Sequence, residues 1–313
     1  MERLTYFDQM RGIAILAMVI GHVFIFAFGV SNCSLTNSLN IFSMPIFFYI
    51  SGFLSYKELT SRKELLHRIF RKIVRILPTW LVASVAYSYY DNSGILYCLT
   101  DFYWFFYVLI SVTLIFILLD FIILRYTKFL YPFVIVLVVC SLCLMAWLYG
   151  DDCGFPLNQL AIYSCYFSLG WLCKKYQILH NCMLKSQKLY GISIIVYVYA
   201  CYNCLDLNVL ERIVAGVAAI IVIQHFLYDF RENSKSRLLN FFSVLGQSTI
   251  AIYVLNNYFI PDFRDCGISF IGVPWGFIIE LIVALCISIP VIGLCVIIKL
   301  ILQKNKYLKY LVS

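Results

Sequence analysis

The stretch Leu4–Val23, LTYFDQMRGIAILAMVIGHV, runs apolar from Met10 onward apart from Arg11 and His22, and FIFAF extends it to Phe28. About 20 mostly apolar residues span the hydrocarbon core as a helix, so residues 8–29 read as a first transmembrane span. A cleaved leader is disfavoured: the apolar run outlasts a leader's apolar region, no clear small-x-small site precedes Ser31, and more apolar runs follow.

Those runs continue to the end of the chain. Apolar stretches broken by polar or charged clusters fall near 38–56, 77–93, 102–124, 129–148, 159–173, 189–204, 210–229, 241–261 and 274–302. Composition agrees. Of 313 residues, 63% are hydrophobic, 18% aromatic and 13% charged, with mean hydropathy +0.88, whereas soluble domains carry about 25% charged residues. A water-soluble globule is excluded. The expected fold is all-α: a polytopic membrane protein of about ten helices in one bundle, with a transmembrane domain over residues 3–303 and a short tail over 304–313.

The net charge of +8 would point to nucleic acid in a soluble chain, but here its placement matters more. With ten spans, every Lys and Arg except Arg212 and Arg264 falls on one side of the membrane, which the positive-inside rule makes cytoplasmic. Both termini are then expected in the cytoplasm, and no nucleic-acid partner is implied. The 13 cysteines sit mostly inside apolar runs, where thiols act as small hydrophobes. Cys140/Cys143 and Cys201/Cys204 lack a second ligand pair at zinc spacing, so no metal is expected.

Polar groups at membrane depth are the informative exceptions. Arg11 and His22 are eleven residues apart, about 1100° of helical rotation, and so share a face to within about 20° while separated by about 16 Å along the axis. Asp8, one turn before Arg11, can pair with it. Arg11 reads either as a boundary residue reaching the headgroups or as part of a site. His22 reads either as an interhelical hydrogen-bond partner or as a proton-transfer group near neutrality. RKELLHRIFRKIVRILP, Arg62–Pro78, is an amphipathic helix with Arg68, Arg71, Lys72 and Arg75 clustered on it, suited either to anionic lipid or to multivalent phosphate. Asp120 and His225 read as boundary residues, Glu280 as a residue lining a polar cavity, and the aromatic run Trp104–Tyr107 as an interfacial belt.

Arg11, ten intervening residues and His22 within the opening stretch closely resemble the first-helix signature of the acyltransferase 3 family of bacterial membrane O-acyltransferases. SMPIFFYISGFL (Ser43–Leu54), RKIVRILPTW (Arg71–Trp80) and LGQSTIAIYVLNNYF, ending at Phe259, are similar to later family blocks in the expected order. Where many members end the last of these with His, this chain has Asn256. The extra carboxy-terminal esterase-like domain of some members has no counterpart here.

The resemblance implies transfer of an acyl group, commonly acetyl, from cytoplasmic acyl-CoA, a co-substrate and not a bound cofactor, to a hydroxyl of a cell-surface glycan or glycolipid. His22 is then the expected general base, with an acyl-histidine relay as the less favoured variant, and Arg11, braced by Asp8, orients the donor or stabilises charge along the pantetheine path. Arg68, Arg71, Lys72 and Arg75 hold the CoA phosphates. Ser51 and Glu280 line the cavity, with Ser51 and Gly52 as oxyanion-hole candidates. A pantetheine arm matches the spacing of about 16 Å, so a narrow channel along the Arg11–His22 face is expected. The location is the inner membrane, and oligomeric state is left open. The competing class is a transporter or flippase of lipid-linked glycan, whose intramembrane polar residues would line a route.

Overall fold

The computed structural model describes residues 5–31, 33–58, 61–123, 131–150, 156–230, 236–264, 276–305 and 308–311. Among them every regular element is helical. In order these are α1 (Thr5–His22), which continues as a π-helical turn (Val23–Ala27), α2 (Ser34–Ser55), α3 (Arg62–Asp91), α4 (Ile95–Tyr97), followed by a second π turn (Cys98–Phe102), α5 (Trp104–Ile123), α6 (Tyr131–Tyr149), α7 (Leu157–Lys175), α8 (Gln177–Lys185), α9 (Gln187–Tyr202), α10 (Val209–Asp229), α11 (Arg237–Gln247), α12 (Thr249–Phe259) and α13 (Gly276–Lys304). Of the basic residues used for the sidedness argument, Arg3, Arg125, Lys128, Arg231, Lys235 and Lys306 lie outside the described residues, as does part of the tail.

Among the described residues six helices are long and apolar enough to cross a bilayer: Thr5–Ala27, Ser34–Ser55, Trp104–Ile122, Tyr131–Leu148, Val209–Asp229 and Ile278–Lys304. A seventh is added if Arg237–Gln247 and Thr249–Phe259, bent by 83° at their junction, count as one span. This is a multi-pass membrane protein. The other expected spans are helical but weaker. α9 has 16 residues, α7 ends on Lys174 and Lys175, and 77–93 falls mostly on the second part of α3, a helix whose first part is strongly basic and which runs unbroken through Pro78.

The chain divides into two units. One comprises Met1–Phe47 with Asn181–Ser313, the other Phe48–His180. In the first, α1 packs against α10, α11, α12 and α13 and is almost wholly enclosed. The closest approach is to α11, where a Cβ on Gly12 would overlap the Phe242 carbonyl and one on Gly246 the Asp8 carbonyl. Small residues at such crossings let backbones touch and gain dispersion contacts that lipid cannot replace. Ile20, Val23, Phe24, Ala27, Leu35 and Ala284 form the core at the far end of α1. The Phe263 amide also donates to the Ala27 carbonyl at 2.7 Å, which ties the chain after α12 to the π turn. α10 opens with a reciprocal cap, Asn208 accepting from the Glu211 amide while the Glu211 carboxylate accepts from the Asn208 amide.

In the second unit the end of α2 meets α7 through another glycine pair, Gly52 against the Phe167 carbonyl and Gly170 against that of Tyr49. Trp171, Phe167 and Phe116 are fully buried and mutually packed. Trp104 stacks on Tyr163 at 5.1 Å, so the aromatic run expected as a membrane belt packs between helices. α3 begins at the Ser61 cap, whose Oγ accepts from the Glu64 amide at 3.2 Å.

Candidate functional site

Enclosure of α1 makes its few accessible positions conspicuous. From Tyr6 to His22 only Arg11, Ile13, Leu16 and His22 keep accessible surface, and both polar residues of the expected pair are among them. The helix is continuous over that interval, so Arg11 and His22 do share a face, about 16 Å apart. The intervening residues nearest that face, Ile15 and Met18, are 0% and 2% exposed. Among the described residues this face is accessible at its two ends and closed between them, so the continuous channel expected along α1 is not open there. Large aliphatic side chains at these positions pack into neighbours whatever the helical phase of the polar pair.

At one end, Arg11 Nη1 lies 3.8 Å from Asp8 Oδ1, one helical turn away. The Asp8 carboxylate is buried where Gly246 crosses, and the guanidinium keeps roughly a quarter of its surface, 28%. At the other end, the His22 Nδ1 is 2.8 Å from Asn256 Oδ1 on α12. Phe26 meets the imidazole edge-on at 5.4 Å. Asn257 also acts on the ring, and its own Oδ1 is buried with no hydrogen-bond partner among the described residues. The π turn starts at the residue after His22. Such turns insert one extra residue per turn and occur often at functional sites.

α12 reaches His22 because the chain bends sharply before it. Lys299 of α13, 8% exposed, donates to the Gln247 carbonyl at 2.8 Å and the Ser248 hydroxyl at 3.0 Å. An ammonium suits the carbonyl end of α11 electrostatically. Lys299, one of the basic residues counted on the cytoplasmic side in the sequence, is a buried residue holding the break between α11 and α12.

The basic cluster lies in the other unit. By helical phase Arg68, Arg71, Lys72 and Arg75 share an arc of about 100°, while Leu66, Phe70 and Val74 lie opposite. Those three are 67%, 67% and 50% exposed, a stripe fit for lipid contact. Arg71 and Arg75 are exposed, whereas Arg68 and Lys72 are half-buried and already engaged. Arg68 donates to the Lys57 carbonyl at 2.7 Å and Lys72 to the Ser55 hydroxyl at 2.9 Å. Burial pulls the Arg68 guanidinium down from its ordinary range, and Asp120 and Glu64 pull it back.

Asp120 is no boundary residue. It is 0% exposed and accepts from the Tyr131 hydroxyl at 2.7 Å, while Trp171 Nε1 donates to the same hydroxyl at 2.6 Å. Lys175 lies 2.9 Å above the Tyr131 ring centre, so a carboxylate, a phenol and cations form one buried network with the basic end of α3. His225, the other expected boundary residue, is 1% exposed and stacks on Tyr190 at 4.3 Å. His180, not foreseen, is 6% exposed and packs on Phe53 at 4.8 Å. Burial lowers its pKa to about 4, helped by the Lys174 charge.

Glu280 is 5% exposed on α13. Ser51 is half-buried, but neighbouring Gly52 is occupied by the α7 backbone. The small pair thus serves helix contact, and Gly52 is withdrawn as an oxyanion-hole candidate. Among the described residues no group of His, Cys, Asp and Glu could hold a metal ion.

The model of the acyltransferase 3 family, described as an acyltransferase domain, matches residues 4–297. The chain belongs to this family. It is an acyltransferase built within the membrane. No curated protein and no solved structure matches the chain. The candidate groups are the His22–Asn256 and Arg11–Asp8 pairs in one unit and the basic arc of α3 in the other. Asn256 stood out in the sequence as the residue found where many family members have histidine, and its contact with His22 required coordinates.

Proposed function

We propose that this acyltransferase moves an acyl group, acetyl in the simplest case, from cytoplasmic acyl-CoA to a hydroxyl of a cell-surface glycan or glycolipid, in the inner membrane with both termini cytoplasmic. The observation that carries this reading is an imidazole on an apolar membrane helix, half-buried where that helix is otherwise enclosed and hydrogen-bonded at Nδ1 to Asn256. A histidine that served packing alone would ordinarily be fully enclosed.

In the proposed reaction His22 takes the proton of the acceptor hydroxyl as its oxygen attacks the thioester carbonyl. The new ester bond forms, the carbon–sulfur bond breaks, and the proton leaves with the thiolate of CoA. Proton transfer of this kind contributes about 10² to 10⁴-fold. Arg11, held by Asp8, orients the donor or stabilises developing negative charge. Arg71, bonded to His67 through one Nη at 2.6 Å, and Arg75 present exposed guanidiniums to phosphates, while Arg68 and Lys72 add positive potential from positions fixed by Lys57 and Ser55. Access of the donor thioester to His22 requires Ile15 and Met18 to move or a route off the α1 face.

The test is genetic and chemical. Surface glycans of a strain lacking the protein should lose an acyl ester detected by mass spectrometry. The wild-type chain should restore the ester, and equally abundant His22→Ala should not. Restoration by His22→Ala at the wild-type level would contradict the base assignment.

A further inference from the structure

We propose that Asn256 is the positioning residue for His22, holding the imidazole in its Nδ1–H tautomer so that Nε2 carries the lone pair that receives the acceptor proton. This rests on the reading of His22 as the base.

The hydrogen bonds of the amide fix its orientation. Asn256 is 0% exposed, so water does not satisfy it. Its Nδ2 donates to the carbonyls of Ile252 at 2.9 Å and Tyr253 at 2.8 Å, one turn back on α12. Rotating the amide by half a turn would set its oxygen against those two carbonyl oxygens, an orientation the network rejects. Oδ1 therefore faces His22, and because Oδ1 only accepts, the ring nitrogen 2.8 Å away must donate. A neutral imidazole that donates from Nδ1 has its lone pair on Nε2.

Asn257 also acts on the ring, but Asn256 makes the direct 2.8 Å hydrogen bond to Nδ1, and the Asn257 Oδ1 closes no hydrogen bond of ordinary geometry among the described residues, so Asn256 sets the tautomer. The direction of α12 is fixed upstream, where Lys299 holds Gln247 and Ser248 at the break. Downstream, the Phe263–Ala27 bond anchors the chain to the π turn.

The electrostatic setting is neutral. The side chains acting on the imidazole are Asn256 and Asn257. Arg11 and Asp8 of its own helix stand about 16 and 21 Å away along the axis. The α13 groups are Glu280, buried, and Lys299, engaged at the break. The α10 groups are Glu211 in the cap, Arg212 on the Leu207 carbonyl, and His225 beside Asp229. α11 carries Arg237. A neutral acceptor orients the ring without stabilising the imidazolium as a carboxylate would, and so favours passing the proton on to the leaving thiolate.

The experiment uses full-length protein in lipid nanodiscs with ring-¹⁵N histidine, the His22 signal being assigned by its loss in His22→Gln. Wild type should show a protonated Nδ1 and an unprotonated Nε2. Asn256→Asp keeps the acceptor and should keep both the tautomer and transfer of label from acetyl-CoA, with the acid limb of its pH–rate profile raised by about one to three units. Asn256→Leu should lose the tautomer preference and lower kcat at least tenfold, with donor KM unchanged. A wild-type His22 protonated on Nε2, or Asn256→Leu with wild-type tautomer and kcat, overturns the assignment. The ¹⁵N result needs no turnover, so a correct tautomer with full activity in His22→Ala would overturn the base reading and leave the hydrogen-bond assignment standing.

Discussion

Single side chains divide here into those that carry chemistry and those that hold others in place. The exposed Arg71 and Arg75 and the half-buried Arg68 and Lys72, held by Lys57 and Ser55, make that division testable, because the first pair faces outward and the second is drawn into the helix packing. Reversing both exposed charges, Arg71→Glu with Arg75→Glu, should raise the apparent KM for acyl-CoA by about tenfold or more at unchanged kcat, since each tenfold corresponds to about 1.4 kcal/mol of lost contact. Donor kinetics that do not change would assign this arc to lipid headgroups. His180 supplies a pH dependence of a different kind. Its pKa falls to about 4 in the folded protein, against about 6.5 for an unperturbed imidazole. The unfolded chain therefore binds the extra proton between these values. Stability from this residue is complete above about pH 6.5 and is lost as pH falls toward 4, by on the order of 3 kcal/mol. The melting temperature in detergent should drop less between pH 7 and pH 4.5 in His180→Phe than in wild type.

Helices bring the two ends of the site together through close crossings and one bend. Leucine at Gly12 or Gly246 would drive a side chain into the Phe242 or Asp8 carbonyl. Both variants should fail to yield monodisperse protein, while leucine at Gly191 or Gly293, where a Cβ meets nothing within 4 Å, should behave as wild type in size-exclusion chromatography. Lys299→Met removes the ammonium from the Gln247 carbonyl and Ser248 hydroxyl and should destabilise by about 1–3 kcal/mol, with a larger loss of kcat than of donor affinity as α12 loosens. The bend itself was not legible in the sequence. LGQSTIAIYVLNNYF contains neither proline nor a charged break, so its apolar run reads as one span, and the 83° turn depends on a lysine about fifty positions later. The shared face of Arg11 and His22, by contrast, follows from spacing alone, because eleven residues nearly close three helical turns. What spacing could not give was burial of Ile15 and Met18 between them, which is a property of the helices packed around α1.

At the scale of the whole molecule, membrane character was readable from composition because few soluble folds tolerate so little charge. The span count was less so. Stretches such as α7 and α9 are helical, yet their polar residues and short length leave six or seven helices among the described residues that meet the requirements for crossing. The broken pair α11–α12 is a feature that transporters also use to build sites at membrane depth, but family membership makes the protein an acyltransferase, and here the break delivers Asn256 to His22. The account as a whole depends on transfer chemistry at that imidazole. The most direct measurement incubates purified, reconstituted protein with radiolabelled acetyl-CoA and a glycan extract and follows label into the glycan. The account predicts label transfer by the wild-type chain and at least a hundredfold slower transfer by folded His22→Ala, within the range set by lost general-base catalysis. Transfer by His22→Ala at the wild-type rate would contradict it.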